Sequence, residues 1–152
     1  MCMVIMTVLL CGIACAPLPQ NQNNTAPIYI DPGVHSQVEL FETLYHIPVN
    51  MTIKFVPDLG PYAGVCHSYG KNDSRNWIEI DADYWSQITD AGKDQLILHE
   101  LGHCVLGLEH RTERGQVGAY FDVPLSIMYP VHFGDNPYYS DNLEYYYQEL
   151  IK

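Results

Sequence analysis

The chain has 152 residues, a length typical of one domain. It carries 18 acidic and 7 basic residues, which gives a formal net charge of −11. This charge argues against nucleic-acid binding and against electrostatic docking on anionic lipid, because both need a basic surface.

The first segment, residues 1–15, is typical of a signal peptide: it is almost wholly apolar and too short for a transmembrane helix. Gly12-Ile13-Ala14-Cys15 resembles a bacterial lipobox, in which Cys15 would carry the lipid. The alternative is cleavage within Ala14-Cys15-Ala16, which Pro17 disfavours. We therefore expect an exported protein, either a cell-envelope lipoprotein attached to the membrane through Cys15 or a secreted protein.

Residues 16–27 are rich in Pro, Asn and Gln without periodicity, so they predict a disordered linker. The folded domain is then expected to span residues 28–152. Its first predicted elements, in chain order, are a strand at 28–30, a helix at 34–46, strands at 51–56, 63–69 and 77–81, and a short link at 84–85.

The next predicted helix begins after a cap at Thr89 or Asp90 and runs to about Leu106. Its circumference is mostly apolar, which indicates a helix buried at the centre of the domain. Gly102 lies inside it, where glycine costs about 1 kcal/mol relative to alanine. This glycine predicts that another segment packs closely on that face.

The same helix carries a candidate metal site. His99 and His103 are four residues apart, so both imidazoles lie on one helix face and can bind one Zn²⁺. Glu100 stands beside the first ligand and is the expected general base for a zinc-bound water. Gly107 is predicted to end the helix and to let the chain turn back. His110 can then become the third ligand, which leaves the fourth position to water.

Beyond this site, residues 111–125 are predicted to be irregular and residues 142–151 to form a last helix. Between them lies the segment Ser126-Ile127-Met128-Tyr129-Pro130. His132 then either lines the pocket or is an incidental loop histidine.

The run from His99 to His110, with the segment around Met128, resembles the metzincin metallopeptidases, whose signature is H-E-x-x-H-x-x-G-x-x-H followed by a Met-turn. This chain has three residues, not two, between His103 and Gly107. One inserted residue would keep His110 as the third ligand, which is the interpretation we favour. Without an insertion, Glu109 would take that place.

The resemblance implies an α+β fold of the zincin type, with a small mixed sheet packed on a central active-site helix and additional N-terminal and C-terminal helices. It implies one catalytic Zn²⁺, with Met128 beneath it as a packing base. It also implies a cleft whose upper edge is a strand, either 77–81 or 63–69, that pairs with an extended peptide or protein substrate. We expect such a domain to act as a monomer.

Two cysteines, Cys66 and Cys104, lie outside the signal segment. In an oxidising compartment they can form a disulfide, which would tie the active-site helix to an upstream strand or loop. The alternative is two buried free thiols.

The most specific function consistent with these features is an exported zinc metalloendopeptidase. Two alternatives remain: a zinc hydrolase of a non-protein amide such as one in the cell wall, and a non-catalytic zinc-containing binding lipoprotein. Glu100 argues against the last, because binding alone does not need a carboxylate beside the metal.

Overall fold

The structure is a computed structural model that describes residues 27–152. The predicted signal peptide, Cys15 and residues 16–26 of the predicted linker lie outside the described residues. The described chain mixes helices with small sheets, which confirms the α+β class. The helices are α1 (His35–Tyr45), α2 (Ala82–Gln87), α3 (Asp90–Leu101), α4 (Pro137–Ser140) and α5 (Leu143–Glu149), and the strands are β1 (Thr52–Val56), β2 (Gly64–His67), β3 (Trp77–Asp81), β4 (Arg114–Val117) and β5 (Tyr120–Pro124).

The main sheet is mixed and has the strand order β1-β3-β2. β1 runs parallel to β3, whereas β2 runs antiparallel to it. β3 is therefore the central strand, so the expectation that residues 77–81 form the edge of the cleft is wrong. The alternative was the preceding predicted strand, 63–69, and this strand is observed as β2 at the edge of the sheet. The predicted strand at 28–30 is reduced to a single bridge between Ile30 and Ile53.

Helix α3 is the buried centre of the domain. Thr89 caps it, since its hydroxyl accepts a hydrogen bond from the backbone N–H of Gly92. Every residue from 95 to 101 is buried, including the polar Gln95, His99 and Glu100, which agrees with the buried central helix that the sequence predicts. Helix α1 packs against α3, and its bounds confirm the helix predicted over 34–46.

Two segments differ from their predictions. The link at 84–85 is part of helix α2, which Asp81 caps by accepting a hydrogen bond from the backbone N–H of Tyr84. The stretch at 111–125 is not irregular, because β4 and β5 pair there as an antiparallel hairpin. Its turn uses Gly118 at a φ of 56°, a conformation that favours glycine. The short helix α4 was not predicted either.

No helix within residues 27–152 combines the length and the apolar character that crossing a membrane requires.

Gly102 allows close packing at the end of α3, as its position in the helix predicts. A Cβ atom placed on Gly102 would lie 2.4 Å from Sδ of Met128 and 3.6 Å from Cδ1 of Leu150. Met128 is fully buried, so its side chain has little room to withdraw.

We therefore expect Gly102→Ala to lower the free energy of unfolding by about 1–3 kcal/mol, because overpacking outweighs the helix propensity that alanine gains. Chemical denaturation measures the change. Met128→Ala should relieve the clash, so Gly102→Ala is expected to cost less in that background. An equal cost in both backgrounds would show that Met128 is not the obstacle.

Candidate metal centre

Three imidazole groups converge at the end of α3. Nε2 of His99 lies 3.2 Å from Nε2 of His103 and 3.2 Å from Nε2 of His110. Ligand atoms of all three residues lie within 4.8 Å of one another. The four-residue spacing places the first two rings on one face of the helix, and the chain reversal after Gly107 returns the third.

Hydrogen bonds orient two of these rings. Nδ1 of His99 lies 2.8 Å from the carbonyl oxygen of Ile127, and Nδ1 of His103 lies 2.6 Å from that of Leu108. A carbonyl only accepts, so each Nδ1 carries the proton and donates it. Each Nε2 then presents its lone pair to the common centre, which is how histidine ligands are held in metalloproteins.

The spacing of the nitrogens fits zinc. A tetrahedral Zn²⁺ with Zn–N bonds of about 2.0–2.1 Å would separate two ligand atoms by about 3.3 Å. The observed separations of 3.2 Å match this value. The three histidines are therefore positioned to bind a metal ion, and they leave room for a fourth ligand.

Burial favours the neutral form of the His99 and His103 imidazoles, which is the form that binds metal. Desolvation, with smaller contributions from the neighbouring His103 and His110, lowers the pKa of His99 to about 4, although the hydrogen bond to Ile127 opposes the fall. Desolvation also lowers the pKa of His103, against a smaller opposite effect of its hydrogen bond to Leu108.

Glu100 lies next to the three histidines in the same cleft and is almost fully buried. Burial raises the pKa of its carboxyl to about 7, although a hydrogen bond from the backbone N–H of Cys66 opposes the rise. A Cβ atom on Gly64 would lie 3.0 Å from Oε1 of Glu100, so this glycine leaves room for the carboxylate at the cleft wall.

The three residues between His103 and Gly107 lie in a π-helical turn over Gly102–Leu106. The backbone N–H of Leu108 donates to the carbonyl of Gly102, and that of Gly107 donates to the carbonyl of His103. Each bond spans one residue more than in the usual helix-ending motif. Gly107 closes the turn at a φ of 68°, as predicted for the residue that ends the helix.

This wider turn needs support from outside the helix. The carbonyl of Cys104 accepts hydrogen bonds from the backbone N–H of Asn72 at 3.0 Å and from Nδ2 of Asn76 at 2.9 Å. Asn76 is buried, and its side-chain oxygen accepts a hydrogen bond from the backbone N–H of Tyr69. The turn places His110 in the ligand cluster, whereas Glu109 is exposed and outside it.

A disulfide joins Cys66 on β2 to Cys104 in the π turn, with their Cα atoms 5.7 Å apart. It links the strand whose backbone contacts Glu100 to the turn that contains His103. The two cysteines are 38 residues apart in sequence.

We expect the double replacement Cys66→Ala/Cys104→Ala to lower the free energy of unfolding by about 2–4 kcal/mol, because the closed loop no longer restricts the unfolded chain. Urea denaturation with and without a reductant measures this. The reductant should lower the stability of the original chain and leave that of the double variant unchanged. Stability that responds to neither change would contradict the bond.

The cleft around these residues has a volume of about 770 Å³. One part of its wall is the edge of β2 from Gly64 to Cys66, and another is the segment 129–132. His132 thus lines the pocket, the first of its two predicted roles. Its Nε2 donates to the carbonyl of Gly92 at 2.9 Å, so its Nδ1 accepts from the hydroxyl of Tyr84 at 2.8 Å.

Met128 does not line the cleft; it is buried against Gly102 in a tight turn. In this turn the backbone N–H of Tyr129 donates to the carbonyl of Ser126, and the hydroxyl of Ser126 accepts from the backbone N–H of Met128. The carbonyl of Ile127 is then free to hold His99. The motif predicted the turn, but it did not predict that the carbonyl of Ile127 would hydrogen-bond His99.

A family model with the description "Putative phage metallopeptidase" matches residues 59–120, which is less than half of the chain. The matched range contains β2, α3, Glu100 and the three clustered histidines, and it ends before Met128. The match supports a metallopeptidase. Neither the comparison with curated proteins nor that with solved structures gave a match.

Proposed function

We propose that the chain is a zinc-dependent metalloendopeptidase. The convergence of three imidazole nitrogens at 3.2 Å spacings, beside a buried carboxylate in one open cleft, carries the proposal. Three nitrogen ligands with an open fourth position are typical of catalytic zinc, whereas structural zinc sites are closed and rich in cysteine. The family match supports the same activity.

We propose that the metal site has the ligand set and the Met-turn of the metzincins. The packing of Met128 against Gly102, one residue before the ligand His103, supports a Met-turn role for the segment Ser126–Tyr129. The π turn supports His110 as the counterpart of the third ligand, since it accommodates the additional residue without displacing the histidine.

Zinc bound here would supply a Lewis acid that polarises the scissile carbonyl and acidifies a water molecule. The chain supplies the proton transfers. Glu100 takes a proton from the attacking water and gives it to the leaving amine, so one carboxylate acts first as base and then as acid. Its burial suits this work, because a pKa of about 7 lets it both accept and release a proton near neutral pH.

We propose that the substrate is an extended peptide that lies along β2. Of the strands in this sheet, β2 forms the edge beside the cleft, and its residues 64–66 line the wall next to Glu100. An edge strand offers backbone N–H and C=O groups to an added strand. Among residues 27–152, no lysine or arginine side chain lines this cleft, so we infer that the backbone of β2 is a main recognition element.

We also propose that the protein is exported and attached to a membrane by lipid on Cys15. The apolar segment 1–15 and its lipobox-like end support this. Metabolic labelling of the chain with a radioactive fatty acid in a bacterial host, beside Cys15→Ser, tests it. Equal labelling of both chains, or of neither, would contradict the attachment.

The test of the function is cleavage of a peptide library by the purified chain with one equivalent of zinc, with cell-wall fragments as a second substrate set. The control is the same preparation after chelation and after zinc is restored. We expect peptide cleavage that chelation abolishes and zinc restores. Cleavage of wall fragments alone, or of nothing while zinc is bound, would contradict the endopeptidase.

A further inference from the structure

A buried carboxylate on the last helix lies behind the metal centre. Glu149 is 7% exposed, and its Oε1 accepts a hydrogen bond of 2.6 Å from the backbone N–H of Ile127. Its Oε2 lies 3.3 Å from Nη1 of Arg111. A buried charge is unfavourable unless other groups compensate it. The partners of the Glu149 carboxylate lie in two segments, one that hydrogen-bonds His99 and one that adjoins His110.

The first segment holds the ring of His99. Ile127 donates its N–H to Glu149, and its carbonyl accepts from Nδ1 of His99 at 2.8 Å and from Nε2 of Gln95 at 3.3 Å. Glu149 thus fixes the residue whose carbonyl sets the tautomer and the direction of His99. Partners of this kind affect the strength of a metal site although they do not touch the ion.

The second segment holds His110. Arg111 follows this histidine directly, and its backbone N–H donates to the carbonyl of Met128 at 2.9 Å. Its guanidinium group then pairs with Glu149. One carboxylate therefore joins the turn behind His99 to the chain next to His110.

We propose that Glu149 is a positioning residue for the metal centre: by holding Ile127 and Arg111, it fixes His99 and His110 in the geometry that binds zinc. This inference rests on the zinc site of the proposed function. It assigns a role to helix α5, which lies beyond the segment that the family model matches.

The test compares zinc affinity in four variants of the full chain, measured by competition with a chromogenic chelator below the unfolding temperature of each metal-free protein. Glu149→Ala removes the acceptor, and Glu149→Asp shortens it by one methylene while its charge stays. Glu149→Gln keeps an oxygen at the same reach. Glu144→Gln is the matched control, because this carboxylate lies on the same helix and is exposed. The absorption spectrum of the cobalt-loaded proteins reports the ligand geometry.

We expect Glu149→Ala to weaken zinc binding by about 10–100-fold, as outer-shell replacements do. Glu149→Asp should weaken it in the same direction, Glu149→Gln should lie nearer the original chain, and Glu144→Gln should match it. The cobalt spectrum should change in the Ala and Asp variants alone. If Glu149→Ala fails to fold, the zinc affinity and the cobalt spectrum of Glu149→Asp test the proposal. Unchanged zinc affinity and cobalt spectrum in a folded Ala or Asp variant, even with lower thermal stability, would overturn the proposal.

These outcomes are separable from those for the proposed function. If the original chain binds zinc at the histidines, Glu149→Ala weakens it, and no peptide is cleaved, the peptidase fails and the positioning role stands. If the original chain cleaves peptides and the Glu149 variants bind zinc as tightly, the positioning role alone fails. Absence of zinc binding in the original chain overturns both.

Discussion

Replacement of Glu100 by glutamine is expected to lower peptide hydrolysis by about 10²–10⁴-fold while zinc stays bound. Glutamine has the same size, and its amide oxygen can still accept the hydrogen bond from the backbone N–H of Cys66. It cannot take a proton from water at neutral pH, so the loss isolates the proton transfer. Cleavage rates at saturating substrate, with zinc content measured on the same samples, give the result.

The matched control is Glu109→Gln, which changes an exposed carboxylate in the same stretch of chain. Its cleavage rate and zinc content should equal those of the original chain. If Glu100→Gln kept substantial turnover, another group would be the base. Loss of zinc from Glu100→Gln would instead indicate that the carboxylate supports the metal.

His110→Ala is expected to weaken zinc binding by more than about 100-fold, since loss of a direct ligand should exceed the loss of an outer-shell partner. His110 is exposed, so the variant should fold and leave His99 and His103 as a weaker two-ligand site. Chelator competition measures the affinity, and activity at limiting zinc should fall with it.

Glu109→Ala separates the two interpretations of the longer spacing. The structure keeps Glu109 outside the ligand cluster, so this variant should bind zinc as tightly as the original chain. The opposite pattern, with zinc lost from Glu109→Ala and kept by His110→Ala, would mean that the motif aligns without an insertion.

The spacing of the motif predicted the core of the site because it depends on local geometry. The four-residue separation of His99 and His103 defines one helix face, and Gly107 marks the end of the helix. The π-helical form of the turn between His103 and Gly107 was not readable from the motif. The π turn depends on Asn76, which donates to a carbonyl 28 residues further along the chain.

The elements that the sequence did not predict depend on contacts between distant segments. Strand order decides that β2 and not β3 forms the edge of the cleft, and alternation within a strand does not encode order. The β4–β5 hairpin carries little apolar alternation in β4, so its pairing was missed. Helix α2 did carry a local signal, since Asp81 stands three residues before the N–H that it caps.

The residues that support the ligands were missed for the same reason. Glu149 and the carbonyl of Ile127 act on His99 through the tertiary fold, from 50 and 28 residues away in sequence. Neither has a spacing rule that connects it to the helix. The spacing of the motif therefore indicates the candidate ligands, while the groups that orient them become visible only in three dimensions.

The central claim is that His99, His103 and His110 hold the zinc that peptide hydrolysis requires. The most direct test is to titrate the metal-free chain with zinc and to follow the cleavage of one peptide substrate in the same samples. The claim predicts that activity rises in proportion to bound zinc and reaches a plateau at one equivalent. It also predicts that the activity of His110→Ala reaches no plateau at one equivalent. Full activity without zinc, or one tightly bound zinc with no activity at any point of the titration, would contradict it.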